Sequence, residues 1–325
     1  MDTTALVVTE HGGLDVLQVQ PVTVPEPAAG QLLVRVAAAG INFIDNYQRE
    51  GTYPVPTPYV VGAEGAGVVE QVGAAVSGFA VGDPVAWTDA PGSAAGYVLV
   101  PAERAVPVPA GVPIELAAAA MLQGMTAHYL VNDTYPVQAG DDVLVHAAAG
   151  GVGQLLIQLV KAKGGRVIGT VSTPDKAAKA RALGADEVIE YRQQPDVAAA
   201  VRELTGGRGV AVVYDGVGRD TFEGSLASLR RRGLLALYGA ASGQVPPFDL
   251  QRLNGAGSLF VTRPTLAHYI ATRDELLARG QEILTAIGEG TLSIEIGGRY
   301  PIAEARQAYQ DLLGRRTTGK LLLIP

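Results

Sequence analysis

The 325-residue chain contains no cysteine. That single absence removes disulfides, thiolate nucleophiles and the sulfur ligands of most structural zinc sites. Histidine is scarce too: His11, His128, His146 and His268 are scattered, and no two stand at a metal-ligand spacing. Basic charge is in deficit, with 25 Lys and Arg against 32 Asp and Glu and a net charge of −7. Such a balance repels a phosphate backbone and offers no basic stripe, so nucleic acid is not an expected partner. Long apolar runs are also missing. No stretch approaches the ~20 residues of a membrane span, and residues 1–10 have no basic segment leading into an apolar one. The expectation is a soluble, unprocessed, cytoplasmic chain with no membrane partner.

What is plentiful is glycine, 41 residues placed at turns and element ends instead of in a low-complexity run. The length exceeds one ordinary hydrophobic core, which predicts two domains. Up to about residue 122, apolar runs at 5–9, 32–37, 65–72, 84–87 and 97–100 are punctuated by Gly and Pro, the pattern of a mostly β, barrel-like domain. A helix is predicted at 117–131. From residue 142 the texture becomes regular alternation: strands at 143–146, 166–171, 187–191, 210–214, 234–238 and 258–262, with helices at 152–163, 175–183, 197–204 and 221–231 between them. Strands alternating with helices of that length imply a doubly wound parallel sheet, hence an α/β fold. Two of the helices stop at Gly164 and Gly184, residues suited to a helix C-terminus. Helices at 266–288 and 303–313 and a strand at 320–324 follow, and this tail is expected to return to the first domain.

The chemistry-bearing segment is VLVHAAAGGVG at 143–153. It enters as a strand and leaves as a helix, with Ala148, Gly150 and Gly153 at the spacing of the dinucleotide fingerprint and Ala in place of the first Gly. Small residues let a backbone approach a pyrophosphate, and the helix starting near Gly151 aims N–H groups and a positive dipole end at it. A Gly-rich turn can be a tight turn and nothing more; the strand before it, the helix after it and the next βα unit favour nucleotide binding. About 20 residues further on, an NAD site places a carboxylate on the ribose hydroxyls. Here the second strand ends in Gly-Thr-Val-Ser at 169–172, with Lys176 four residues later. A hydroxyl and a cation suit a 2′-phosphate, although Lys176 also fits an ordinary solvated helix position.

These segments, together with AGINFID at 39–45, Tyr47, GTYP at 51–54, GAEGAG at 62–67, YDGVG at 214–218, LFVTRP at 259–264 and RTTGK at 316–320, closely resemble the ζ-crystallin-like NADPH:quinone oxidoreductases. These form a zinc-free branch of the medium-chain dehydrogenase/reductase superfamily. The likeness runs in order from about residue 5 to the end of the chain. It implies a GroES-like catalytic domain at 1–123 and 264–325, a Rossmann NADPH-binding domain at 124–263, and a homodimer, sometimes a tetramer, joined through the nucleotide domains. It further implies Asn42, Tyr47 and Thr126 near the nicotinamide ribose, and Gly150, Gly151, Val152 and Gly153 at the pyrophosphate. Ser172, Lys176 and Tyr191 would hold the 2′-phosphate, while Gly216, Tyr238, Gly239, Phe260, Val261 and Arg316 would line the rest of the cofactor trough. Relatives often have Ser or Cys where this chain has Gly216. Zinc alcohol dehydrogenases of the superfamily carry Cys at the place of Asn42 and His at the place of Ala63, so zinc-assisted alcohol oxidation lacks its ligands here and no metal is expected.

Candidate catalytic residues are Asn42, Asp45, Tyr47 and Tyr53. Asp45 and Glu64 offer a carboxylate pair for acid–base work, against turn contacts and a buried ion pair as the simpler reading. The two phenols join an apolar face to a proton donor, or simply pack. Trp87 and His146 read as core, and the run 230–232 (Arg-Arg-Arg) as the solvated end of a helix. The expected activity is electron transfer from NADPH to a small quinone, by one or two electrons. The alternatives are hydride addition to an enone, alkenal or enoyl thioester, and, outside catalysis, an NADPH-binding sensor or crystallin-like protein.

Overall fold

A computed structural model describes residues 1–325. The chain divides into two units, Met1–Met125 with Ile270–Pro325, and Thr126–Tyr269. The boundaries read from the sequence, at 123/124 and 263/264, are therefore each a little early: the first division falls inside a continuous helix, where no turn signal marks it.

The first unit opens with β1 (Asp2–Val8), β2 (Leu17–Thr23), β3 (Gln31–Ile41), α1 (Phe43–Arg49), β4 (Tyr59–Val60), β5 (Glu64–Val72), β6 (Pro84–Thr88), β7 (Tyr97–Pro101), β8 (Ala105–Pro107) and α2 (Ile114–Tyr129). Strands β2, β1 and β4 form a small antiparallel sheet. The long strand β3 pairs with β5 and with β7, and its apolar run, Leu32 to Val34 with Val36, is almost wholly buried. Trp87 is fully buried on β6, its indole N–H donating to Ser93 Oγ at 2.8 Å, which satisfies the one polar atom of a large core residue.

The second unit contains β9 (Asp142–Val145), α3 (Gly151–Ala162), β10 (Arg166–Val171), α4 (Pro174–Ala182), β11 (Glu187–Glu190), α5 (Val197–Leu204), β12 (Val210–Asp215), α6 (Phe222–Ser228), β13 (Leu229–Leu237), α7 (Gln251–Gly255) and β14 (Phe260–Thr262). All its strands are parallel, in the order β11-β10-β9-β12-β13-β14. Each central strand is buried on both faces, so β9 and β12 read as unbroken apolar runs. The order reverses beside β9, and ligands of open α/β sheets bind at the carboxyl ends of strands at such a switch point.

The rest of the first unit is α8 (Arg273–Gly288), β15 (Ile296–Pro301), α9 (Ala305–Leu313) and β16 (Lys320–Ile324). Strand β16 lies between β15, to which it is parallel, and β3, to which it is antiparallel.

Two expectations need correction. The predicted helix at 266–288 is a short 3-10 turn, Leu266–His268, followed by α8; Thr272 and Glu275 form a capping box that starts a new helix there. The arginines at 230–232 do not end a helix. They belong to β13, because α6 stops at Ser228 and Leu229 already pairs with Val210. The extra residues bulge out before pairing resumes at Leu234 with Val212, and Arg232 takes a positive φ of 57° within that bulge.

Candidate active site

The turn between β9 and α3 is built by backbone conformation and the absence of side chains. Ala147 has φ 50°, and its carbonyl accepts from Gly150 N at 2.8 Å. Gly150 caps α3 in an extended conformation, with no side-chain cap and no acidic residue in the first turn, so the helix's own side chains leave its positive end to a ligand. Gly153 has no room to be anything else: a Cβ there would run into the Ala147 carbonyl oxygen and stand 2.9 Å from Ala148 Cα. The residues present fit a dinucleotide pyrophosphate.

The neighbouring strand end, on β12, is fixed by Asp215. This fully buried carboxylate accepts from Val217 N (2.8 Å), Gly218 N (3.0 Å), Thr221 Oγ1 (2.7 Å) and Ser225 Oγ (2.8 Å). His146 stands between Thr170 Oγ1 and Ser225 Oγ, each 3.0 Å away. Ser225 spends its hydrogen on Asp215, so His146 Nε2 donates to Ser225 and Nδ1 accepts from Thr170. Burial lowers the imidazole's pKa while Asp215 opposes the shift, and the ring is a neutral core group. The glycine at 216 also has a physical reason. A Cβ on Gly216 would lie 2.9 Å from atoms of the Tyr238 ring, and Gly239 packs so closely on Gly216 that its own Cβ would stand 2.8 Å from Gly216 Cα. Gly216, Tyr238 and Gly239 thus come together.

Ser172, Lys176 and Tyr191 also converge in the fold. Ser172 follows the last residue of β10, Thr173 accepts from Lys176 N as the N-cap of α4, and Tyr191 N donates to Val171 O at 3.1 Å. Adjacent strand ends therefore bring all three residues, each partly exposed, to one edge. Of the other expected cofactor residues, Thr126 is buried, and Phe260 and Val261 are exposed on β14, the outermost strand of its sheet. Arg316 is exposed in the loop before β16, with Asp311 3.8 Å from its guanidinium.

In the first unit, Asn42 is the centre of a buried network. Its Nδ2 donates to Glu64 Oε2 at 2.7 Å and to Gly40 O at 3.3 Å; its Oδ1 accepts from Lys320 Nζ at 2.7 Å and Gln123 Nε2 at 3.2 Å. Lys320 Nζ also lies 2.5 Å from Glu64 Oε2, and Leu122 N donates to Glu64 Oε1 at 2.6 Å. Both ends of the Asn42 amide are thus spent inside the protein. Asp45 takes the simpler of its two readings, a turn contact. Its carboxylate is buried, accepting from Asn42 N at 2.8 Å at the start of α1 and from the Tyr309 hydroxyl at 2.9 Å. Burial raises its pKa to about 6, against the opposing hydrogen bonds from Asn42 and Tyr309. Of the two carboxylates, Glu64 forms the buried ion pair, and neither is a free acid–base pair member. Tyr47 and Tyr53 meet edge to face with ring centroids 5.3 Å apart, Tyr47 partly exposed and Tyr53 exposed.

Lys320, Gln123 and Tyr309 had no role assigned from sequence. The one available signal was a lysine opening an otherwise apolar strand, Lys-Leu-Leu-Leu-Ile.

A six-stranded parallel sheet with a glycine turn at its switch point, joined to a mostly β unit made from both ends of the chain, defines a medium-chain dehydrogenase/reductase. Residues 28–110 match the alcohol dehydrogenase GroES-like domain, and residues 151–276 match the zinc-binding dehydrogenase family. The chain is 46% identical to a quinone oxidoreductase of Pseudomonas aeruginosa over 97% of both chains. It is 42% identical to a 2-haloacrylate reductase of Burkholderia sp, covering 99% of this chain and 98% of that one. The solved structure of Escherichia coli quinone oxidoreductase complexed with NADPH superposes with a TM-score of 0.97 at 42% identity, covering 99% of this chain and all of that one. The chain belongs to the quinone oxidoreductase family.

Proposed function

We propose that the protein is an NADPH-dependent reductase of small quinones. The observation that carries the reading is the pairing of an open glycine turn at the switch point with Ser172, Lys176 and Tyr191 gathered where a carboxylate would stand in an NAD enzyme. Bound NADPH supplies the hydride or electrons. The protein's residues bind and orient it. The backbone of Gly150, Gly151, Val152 and Gly153 holds the pyrophosphate; Ser172, Lys176 and Tyr191 hold the 2′-phosphate; Thr126, Gly216, Tyr238, Gly239 and Arg316 contribute to the remaining contacts. The phenols of Tyr47 and Tyr53 serve the quinone, with apolar faces for the ring and hydroxyls for its oxygens. Following NADPH oxidation with a panel of quinones tests the reading, and no turnover with any of them overturns it.

The 2-haloacrylate reductase relative favours a second reading, hydride addition to an activated alkene. Comparing enones and acrylates with quinones at equal NADPH separates the two. No helix of the structure is long and apolar enough to cross a membrane, and cytoplasmic localisation is part of the proposal. So is a homodimer joined through the nucleotide-binding units, for which β14 offers an unpaired sheet edge with Phe260 and Val261 exposed.

Tyr47→Phe and Tyr53→Phe are each expected to lower quinone kcat/KM by about tenfold to a hundredfold, the effect of removing a polar contact to a buried ligand worth roughly 1–3 kcal/mol. NADPH affinity is expected to stay within a few-fold. Unchanged quinone kinetics in both variants and in the double variant would make the phenols packing residues. Because Cys is absent and Ala63 stands where zinc dehydrogenases have His, the purified protein is expected to hold no stoichiometric zinc and to keep its activity with chelators. Elemental analysis giving one tightly bound zinc per chain would refute this.

A further inference from the structure

Lys320 is a charged residue buried among apolar ones: it is 1% exposed and opens a strand whose next three residues are buried leucines. Both partners of its ammonium, Glu64 and Asn42, are buried as well. Stability alone does not require such a pair, since apolar side chains of similar volume often serve as well or better. Orientation does require it. An ammonium only donates and a carboxylate only accepts, so Lys320 takes the oxygen of the Asn42 amide, Glu64 takes its nitrogen, and the amide has a single setting. Gln123 then donates to that same oxygen and Leu122 N to the other oxygen of Glu64, which ties α2 to the residue that caps α1. The backbone makes room for the pair at Gly40, where a Cβ would collide with the Glu64 carboxylate and stand 2.9 Å from Lys320 Cε.

We propose that Lys320 is a positioning residue for quinone reduction: with Glu64 it locks Asn42, and through Asn42 it seats α1, the helix that carries Tyr47 and leads to Tyr53. This rests on the quinone-reductase reading for its catalytic consequence, though not for its structural one. The Lys320 ammonium bonds to Asn42 and Glu64, and it acts through Asn42, whose backbone N–H is held by Asp45 at the start of α1. Misplacing a group that meets the substrate by a fraction of an ångström lowers turnover without removing any contact to the cofactor.

Three variants separate positioning from plain folding. Lys320→Met leaves a lone buried carboxylate and is expected to melt well below wild type. Lys320→Met combined with Glu64→Gln removes both charges and is expected to recover most of the lost Tm. Its kcat with a quinone is nonetheless expected to remain about tenfold or more below wild type, with KM for NADPH within about twofold, and amide exchange across residues 42–53 is expected to be faster than in wild type. Lys320→Gln keeps an N–H donor for Asn42 and is expected to regain much of the kcat and the exchange protection. Recovery of wild-type kcat and exchange in the double variant would reduce Lys320 to a stability element, as would a Lys320→Gln protein that folds but shows no gain over Lys320→Met. A wild type that reduces no quinone would sink the quinone reading alone, and the exchange comparison would still decide the role of Lys320.

Discussion

Replacing Lys176 with alanine is expected to weaken NADPH tenfold or more while leaving NADH almost unaffected. A charge-assisted bond from an ammonium to a 2′-phosphate contributes about 1.5–3 kcal/mol, less at high salt because the site is partly exposed. The position of the residue supports the size of the effect. Lys176 lies in the first turn of α4, directly after the strand end where the adenosine ribose of a dinucleotide is read, and Tyr191 is brought beside that end by its bond to Val171. Ser172→Asp is expected to carry the change further, because a carboxylate repels the phosphate and accepts from the free hydroxyls of NADH. The α4 cap is left untouched by this substitution, since Thr173 supplies it. Measuring kcat/KM with both cofactors in wild type, Lys176→Ala and Ser172→Asp checks the series. Equal use of NADH and NADPH by the wild type would defeat it.

The second large effect lies in stability. Asp45 is expected to make the protein lose stability as pH rises from about 4 to about 6. Its pKa, 3.8 in its ordinary state, is raised to about 6 chiefly by burial, with bonds from Asn42 and Tyr309 and the nearby Lys320 resisting the shift and Glu64 adding to it. Below the lower value both folded and unfolded chains hold the proton. Across the window the folded chain keeps a proton that the unfolded chain releases, so stability falls with rising pH, and above the window the loss is constant. At ~1.4 kcal/mol per pKa unit the loss approaches about 3 kcal/mol. Other carboxylates work in the opposite direction: Asp186, Glu223 and Glu275 have lowered pKa values and contribute stability that appears as pH rises through the acid range. The Asp45 contribution is therefore read as a difference. Chemical denaturation of wild type and Asp45→Asn from pH 4 to 8 is expected to show the variant gaining on the wild type by about 3 kcal/mol over that range. A difference independent of pH would mean that Asp45 carries no raised pKa.

The Rossmann half was legible because its physical signals are local. Strands buried on both faces are unbroken apolar runs, Gly164 and Gly184 stop helices with positive φ, and the turn at 147–153 needs small residues within a few positions of each other. The network around Asn42 has no such local signature. Its partners Glu64, Gln123 and Lys320 are 22, 81 and 278 residues away, and nothing in the spacing says that they meet. The polar atoms of Asn42 and Asp45 help to build the start of the helix that carries Tyr47, which no local pattern announces. The break before Thr272 is hidden for a different reason. Its capping box was present in the sequence, but the apolar periodicity on either side hid it.

Strand β16, which completes the sheet of the first unit, comes after the whole second unit in the sequence, and this sets a timetable for synthesis. When Met1–Met125 has left the ribosome, β3 has its neighbours β5 and β7 but not β16, and Asn42 and Glu64 have no ammonium between them. The whole of Thr126–Tyr269 must be translated before that strand exists. At ~5–20 residues per second, the nascent chain spends many seconds with that edge of β3 open and Glu64 without the ammonium that pairs with it in the finished fold. The second unit, whose residues form one continuous segment, can finish folding during that wait.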